Sequence, residues 1–179
     1  MTNSRNELPQ IIPPSPWVAA HCGLIAQGGR VLDLGCGSGR HARLLAGLGF
    51  DVAAVDRNFE AILKLSDVPG VTATQLDLEG DEWPLAGRAF DAIVVTNYLW
   101  RPRLPDVLAL LAPGGVLIYE TFMLGNEAYG KPSSPAFLLR PGELREVAQA
   151  AGLREIAFEE GYTASPKPAM RQAICAVRE

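Results

Sequence analysis

Asp33, Gly35, Gly37 and Gly39 form the cluster DLGCGSG directly after the apolar pair Val31-Leu32. Three glycines at this spacing permit a tight turn and let a ligand approach the backbone without obstruction by Cβ atoms. The spacing is GxGxG, with Arg40 where a dinucleotide fingerprint would carry its third glycine later, as GxGxxG. A carboxylate just ahead of the turn repels a pyrophosphate but suits an ammonium group. Both features argue against a nicotinamide dinucleotide. Asp56 lies 21 positions beyond Gly35 at the end of another apolar run, where an acid can accept two hydrogen bonds from a ribose diol. Asn58 stands ready to cap the next helix, which leaves Asp56 free for that task. Asp77-Leu78 ends a third run, and there an acid can receive an exocyclic amine while an apolar neighbour flanks a flat ring.

These residues need elements to position them. Runs at Val31–Leu34, Val52–Val55, Val71–Leu76, Phe90–Thr96 and Val116–Thr121 read as strands, nearly continuous in apolar character as in a parallel sheet covered on both faces. Between them stand helical patterns: Leu44, Leu45 and Leu48; Phe59, Ile62 and Leu63; Leu104, Val107, Leu108 and Leu111. Alternating strands and helices require right-handed crossovers. A further helix carries Leu144, Val147, Ala148 and Ala151. The strands Leu153–Phe158 and Gln172–Val177 then follow with no helix between them, which points to an antiparallel edge hairpin. Trp17–Gln27 reads as a short helix with Trp17, Ala20 and Leu24 on one side, after an arm with prolines at 9, 13, 14 and 16.

The expected organisation is one domain over 1–179. An arm and short helix span 1–27, a ligand-binding core 28–122, a loop without regular pattern 123–140, and a closing helix and hairpin 141–179. A loop that long beside a strand end is usually functional, often a lid. Its bending points would be Gly125, Gly130, Pro132 and Pro135, and its apolar cover Phe122, Tyr129 and Phe137.

The motifs VLDLGCGSG, AAVDRN, QLDLEG, FDAIVVTNYL and LAPGGVLIYET, in this order, resemble those of the class I, Rossmann-like S-adenosylmethionine-dependent methyltransferases. The resemblance covers about residues 28–122. It implies an α/β fold with a seven-stranded, mostly parallel sheet in the order 3-2-1-4-5-7-6, strand seven antiparallel and helices on both faces. It also implies S-adenosyl-L-methionine as cofactor, with Asp33, Gly35, Gly37 and Gly39 on the methionine part and Cys36 among them. Asp56 and Arg57 would then serve the ribose, Asp77 and Leu78 the adenine, and Asn97 the site beside the transferring methyl. The downstream FLLRPGELREVAQAAGL is similar, more loosely, to the tellurite-resistance type of small-molecule methyltransferase.

The acceptor is less legible. Asn97-Tyr98-Leu99-Trp100 departs from the Asn/Asp-Pro-Pro-Tyr pattern of amide and base amino-methyltransferases. Tyr98, Arg101 and Tyr129, with Asn97, are candidates beside the acceptor; Trp17, Trp100 and Glu120 are weaker ones. His41 opens the helix after the glycines, and a helix-packing or cofactor-adjacent role is expected for it, not that of a base. Net charge is −4, and Lys and Arg form no basic block, which disfavours nucleic acid and favours a small-molecule acceptor. An RNA or protein acceptor, or a non-catalytic cofactor-binding subunit, is the alternative. Cys22, Cys36 and Cys175 are scattered and, with the two histidines, offer no metal-ligand spacing. No apolar run approaches membrane-spanning length and the N-terminus has no signal-peptide pattern, so a cytoplasmic, non-membrane protein is expected.

Overall fold

The computed structural model describes residues 12–179. It contains helices α1 (Pro16–His21), α2 (Arg40–Gly47), α3 (Phe59–Leu63), α4 (Leu104–Ala109) and α5 (Glu143–Ala150). The strands are β1 (Arg30–Leu34), β2 (Asp51–Asp56), β3 (Val71–Gln75), β4 (Phe90–Thr96), β5 (Leu111–Phe122), β6 (Leu153–Thr163) and β7 (Ala169–Arg178). They form one sheet in the order β3-β2-β1-β4-β5-β7-β6. β1 to β5 pair in parallel, and β7 runs antiparallel between β5 and β6. This is the expected Rossmann-like architecture.

The central strands are apolar on both faces because each face is roofed. Leu32, Leu34, Val55, Ile93, Val95, Leu117 and Tyr119 pack with Leu104, Val107 and Leu108 of α4 and Leu144 and Ala148 of α5. The alternating residues Val31, Val52, Ala54, Val94 and Ile118 pack on the other face with Trp17 and Val18 of α1 and Leu45 of α2. Period-two alternation thus divides one sheet between two cores. Each large aliphatic buried this way contributes about 1.5–3 kcal/mol.

Gly39 sets the junction of glycine turn and α2. Its φ is +76°, and a Cβ there would sit 2.3 Å from a methyl of Leu65, so only glycine lets α2 settle on that side chain.

Several elements differ from the sequence reading. α1 stops at His21, and a 3-10 turn (Cys22–Leu24) follows. Its buried positions are Trp17, Val18, Cys22 and Ile25, while Ala20 and Leu24 face out. Leu48, Phe59 and Leu63 are likewise exposed, because their short helices bury only Leu45 and Ile62 of the apolar stripes assigned to them. Leu111 belongs to β5, not to the preceding helix, and the final hairpin extends well beyond its apolar centre. The arm's first eleven residues lie outside the described part. Among the described residues no helix is long and apolar enough to cross a membrane.

Candidate active site

The carboxyl ends of β1, β2, β3 and β4 converge on a cleft of about 200 Å³. Topology dictates the place: strand order reverses between β1 and β4, and open parallel sheets bind ligands at that switch. Gly35 forms the floor, Asp56 and Arg57 come from the end of β2, Asp77 and Leu78 from beyond β3, and Asn97 from beyond β4.

The carboxylates differ in how they are held. Asp56 accepts the Gly37 amide at 2.8 Å through Oδ2 and the Asn58 amide at 2.8 Å through Oδ1. Each oxygen keeps a lone pair for a ligand, and the side chain is locked in place. Asn58 caps α3 as expected, accepting from Glu60 and Ala61. Asp77 accepts the Glu79 amide at 3.0 Å, which fixes the turn that buries Leu78. Asp33 is different. It is 1% exposed, and its Oδ2 has no hydrogen-bond partner. Burial raises its pKa from 3.8 to about 7, against the Ala42 amide and the Arg40 charge, which pull it down; Asp56 pushes it further up. It lies beneath the glycine turn and not on the cleft wall.

Asn97 has φ +55°, the only non-glycine residue with positive φ among the described residues. Backbone strain of this kind concentrates at functional sites. Its amide bonds to Glu120 O at 3.1 Å, which holds the strained turn between β4 and β5. Tyr98 follows. Its ring carbons come within 3.3 Å of where a Cβ on Gly35 would stand, so the ring lies across the glycine floor. The Tyr98 carbonyl accepts from the buried Tyr119 hydroxyl at 2.8 Å, while its own buried hydroxyl has no partner. Burial raises the Tyr98 pKa, with Glu79 and Asp77 adding to the rise. Beyond Tyr98 lies a second hollow of about 210 Å³, walled by Leu99, Thr121, Phe122, Pro132 and Phe137. Glu79, Asn97 and Tyr98 border both spaces.

A methyltransferase domain model matches residues 15–157, most of the chain and all of this cleft. The chain belongs to the methyltransferase domain family. It is 29% identical over 147 residues to the tRNA U34 carboxymethyltransferase of Methylococcus capsulatus, covering 72% of this chain and 45% of that protein. It is 30% identical over 164 residues to the ubiquinone biosynthesis O-methyltransferase of Paraburkholderia phymatum, covering 76% of this chain and 68% of the relative. The chain spans less than half the length of the first curated relatives it matches. TehB from Haemophilus influenzae shares the fold, with a TM-score of 0.74 at 22% identity over 91% of this chain and 61% of that one.

The chain carries a methyltransferase domain, and the cleft fits S-adenosylmethionine as its cofactor. Its floor is a glycine, Asp56, Asp77 and Glu79 line it, and a buried carboxyl oxygen and a buried phenol hydroxyl both lack partners. The structure brings Gly35, Asp56, Arg57, Asp77, Leu78 and Asn97 together around one cleft. Asp33, Cys36, Gly37 and Gly39 lie behind it. Cys36 is buried, and burial together with Asp33 and Asp56 raises its thiol pKa, which keeps it protonated.

The acceptor candidates separate. Tyr98 borders the hollow. The Arg101 guanidinium grips Glu143 at 2.6 and 2.9 Å and the carbonyls of Ala136 and Leu138, so it braces the 123–140 loop against α5. Tyr129 is 48% exposed and pairs with Tyr162 at 5.4 Å. Trp17 donates to Ile174 O inside the second core. His41 Nε2 accepts the Ser15 amide at 3.0 Å, which places its proton on Nδ1, toward Thr96. Burial, with Arg40, lowers its pKa to about 4, so the neutral ring pins the arm to α2. Glu79, Leu76 and Thr121 are wall residues that sequence reasoning missed. The DLEG run was the signal for Glu79, two residues past Asp77; Thr121 carried none.

Proposed function

We propose that this methyltransferase methylates a small-molecule acceptor seated in the hollow beyond Tyr98. The observation that carries the reading is the pairing of two small spaces that share Glu79, Asn97 and Tyr98 as a common border. The bound cofactor supplies an activated sulfonium methyl, so the chain's task is alignment and exclusion of water. Asp56 accepts from the ribose diol, Asp77 and Leu78 receive the adenine, and Asp33 under the glycine turn favours the methionine ammonium. Asn97 holds the strained turn beside the transferring group. Leu99, Phe122 and Phe137 give the acceptor an apolar bed. Glu79, the carboxylate bordering that bed, is at hand to take a proton from a neutral nucleophile.

The loop 123–140 acts as the hollow's outer wall. Pro132 and Phe137 contribute to it, while Asn126 ties the loop down by donating to Pro132 O and accepting from the Met170 amide.

Relatives named as a ubiquinone biosynthesis O-methyltransferase and as a tRNA U34 carboxymethyltransferase point to different acceptors. The hollow's size and the net charge of −4 favour the small molecule. The test is formation of S-adenosylhomocysteine from S-adenosylmethionine across thiol, selenium, tellurium, phenol and amine acceptors, with bulk tRNA alongside. Turnover with small acceptors supports the reading. Turnover with tRNA alone overturns it.

A further inference from the structure

Arg171, on β7 opposite Phe122 of β5, contacts two residues that border the site, Phe122 and Asn97. Its guanidinium lies 4.2 Å from the centre of the Phe122 ring and donates to Asn97 Oδ1 at 2.7 Å. Among the described residues its side chain makes no other hydrogen bond and no salt bridge. Arg101, Arg103, Arg145 and Arg154, by contrast, each grip a carboxylate. Arg171 is also half-buried. Burial lowers its pKa, the nearby Glu120 opposes that, and the charge of Arg40 lowers it further. Arg40, near enough for its charge to act on Arg171, also makes no salt bridge among the described residues, its guanidinium donating to Pro13 O.

A guanidinium has five N–H donors in a planar fork. Stacking on Phe122 fixes the plane, Asn97 fixes one edge, and the remaining donors are aimed but unused. On the opposite side of the cleft stand Asp56, Asp77 and Glu79, which repel an anion. The cation on that side, Arg57, is mostly exposed and already lies 3.7 Å from Glu79, so a ligand's negative group finds a cation without a carboxylate partner at the Arg171 end.

We propose that Arg171, positioned by Asn97 and Phe122 and flanked by Arg40, recognises a carboxylate or similar oxyanion of the bound ligands. The assignment rests on the reading that the cleft holds the cofactor and the hollow the acceptor. The anion has two sources, the methionine carboxylate of the cofactor or an acidic group on the acceptor.

Calorimetry on the full chain, Arg171→Gln and Arg171→Lys separates them. The probes are S-adenosylhomocysteine, 5′-methylthioadenosine, which lacks the amino-acid part, and inorganic phosphate added to the S-adenosylhomocysteine-loaded protein. If the cofactor supplies the anion, Arg171→Gln weakens S-adenosylhomocysteine about tenfold or more, Arg171→Lys weakens it less, and methylthioadenosine binds as before. If the acceptor supplies it, both adenosine ligands bind normally and Arg171→Gln abolishes phosphate binding to the loaded protein. Parent-like binding of all three ligands by Arg171→Gln overturns the proposal. So does equal loss of methylthioadenosine, which marks a merely structural residue. A parent protein that binds neither adenosine ligand overturns the cleft assignment instead, and phosphate then judges Arg171 alone.

Discussion

The two sides of the site are built by opposite means. In the cleft proposed for the cofactor, two acids sit at or just past strand ends and their own turns hold them: Asp56 by the Gly37 and Asn58 amides, Asp77 by that of Glu79. In the hollow proposed for the acceptor, the walls come from Leu99, Thr121, Pro132 and Phe137, with a long-range brace from Arg101 to Glu143 and the 136–138 backbone. The first side is local and rigid by hydrogen-bond geometry. The second depends on contacts between residues far apart in sequence, the Arg101–Glu143 pair and Asn126 with Met170 among them. A rigid cofactor seat and an adjustable acceptor wall let one fold serve many acceptors by changing loops alone.

The brace is the place to break the comparison hardest. Glu143 has a side chain only 5% exposed. Burial pushes its pKa up, but hydrogen bonds from Arg101 and the Arg140 amide outweigh that and hold it below the usual carboxylate value. Arg101→Met leaves this buried carboxylate with only the Arg140 amide and a 3.6 Å contact to the Arg140 guanidinium, at an expected cost of about 3 kcal/mol in denaturant unfolding. The loss should concentrate in the acceptor wall: hydrogen exchange rises across 132–138 while β1 and β2 keep their protection. Uniform loss across the sheet would mean that the two sides are one cooperative unit.

Asp33 tests the cofactor side in the opposite sense. Its folded pKa, about 7, lies above the unfolded value near 3.8, so the folded state binds the proton more tightly. The group therefore costs nothing below about pH 4, and its penalty grows as pH rises from there to about 7. Asp33→Asn removes the charge and should stabilise the free protein at pH 8 by about 2–3 kcal/mol, a gain that fades toward pH 4. It should weaken S-adenosylhomocysteine in the same buffer. Equal destabilisation of the variant at both pH values would show that Asp33 is a satisfied core group and no reserved ligand.

Asp56→Ala is the milder test of that side. Loss of hydrogen bonds to a charged group should weaken cofactor binding by about 1–3 kcal/mol in calorimetry. The Gly37 amide also loses its partner, so part of the effect should appear as a looser glycine turn. Cofactor affinity equal to the parent's would remove the ribose role.

The same division explains what the sequence made legible. The glycine turn and the Asp56 and Asp77 positions follow from local pattern, since a strand end and its turn are written in ten consecutive residues; the strand order comes only with the family resemblance. The acceptor wall is written in four separate stretches, and no period links Phe137 to Leu99. Arg101 and Arg171 look alike in sequence, a single arginine near an apolar run, and only packing distinguishes a brace from an unpaired cation. The exposed stripes of α3 show the same limit. Phe59, Ile62 and Leu63 have helical spacing, but a helix of five residues buries only one turn's worth of them.

The smallest effect belongs to the loop itself, where two aromatic residues eight positions apart should behave differently. Phe137 borders the hollow although it is 45% exposed; Tyr129, at 48%, faces Tyr162 on the outer surface. An exposed aromatic truncation changes stability little, so neither Phe137→Ala nor Tyr129→Ala should shift unfolding by more than about 0.5 kcal/mol. Acceptor kinetics should separate them. Phe137→Ala removes apolar cover that closes on the acceptor, and kcat/KM for the best small acceptor should fall about three- to tenfold with cofactor affinity unchanged. Tyr129→Ala should leave kcat/KM within twofold of the parent. If Tyr129→Ala is the more damaging of the two, the loop closes on a different face, and the hollow lined by Phe137 is not where the acceptor sits.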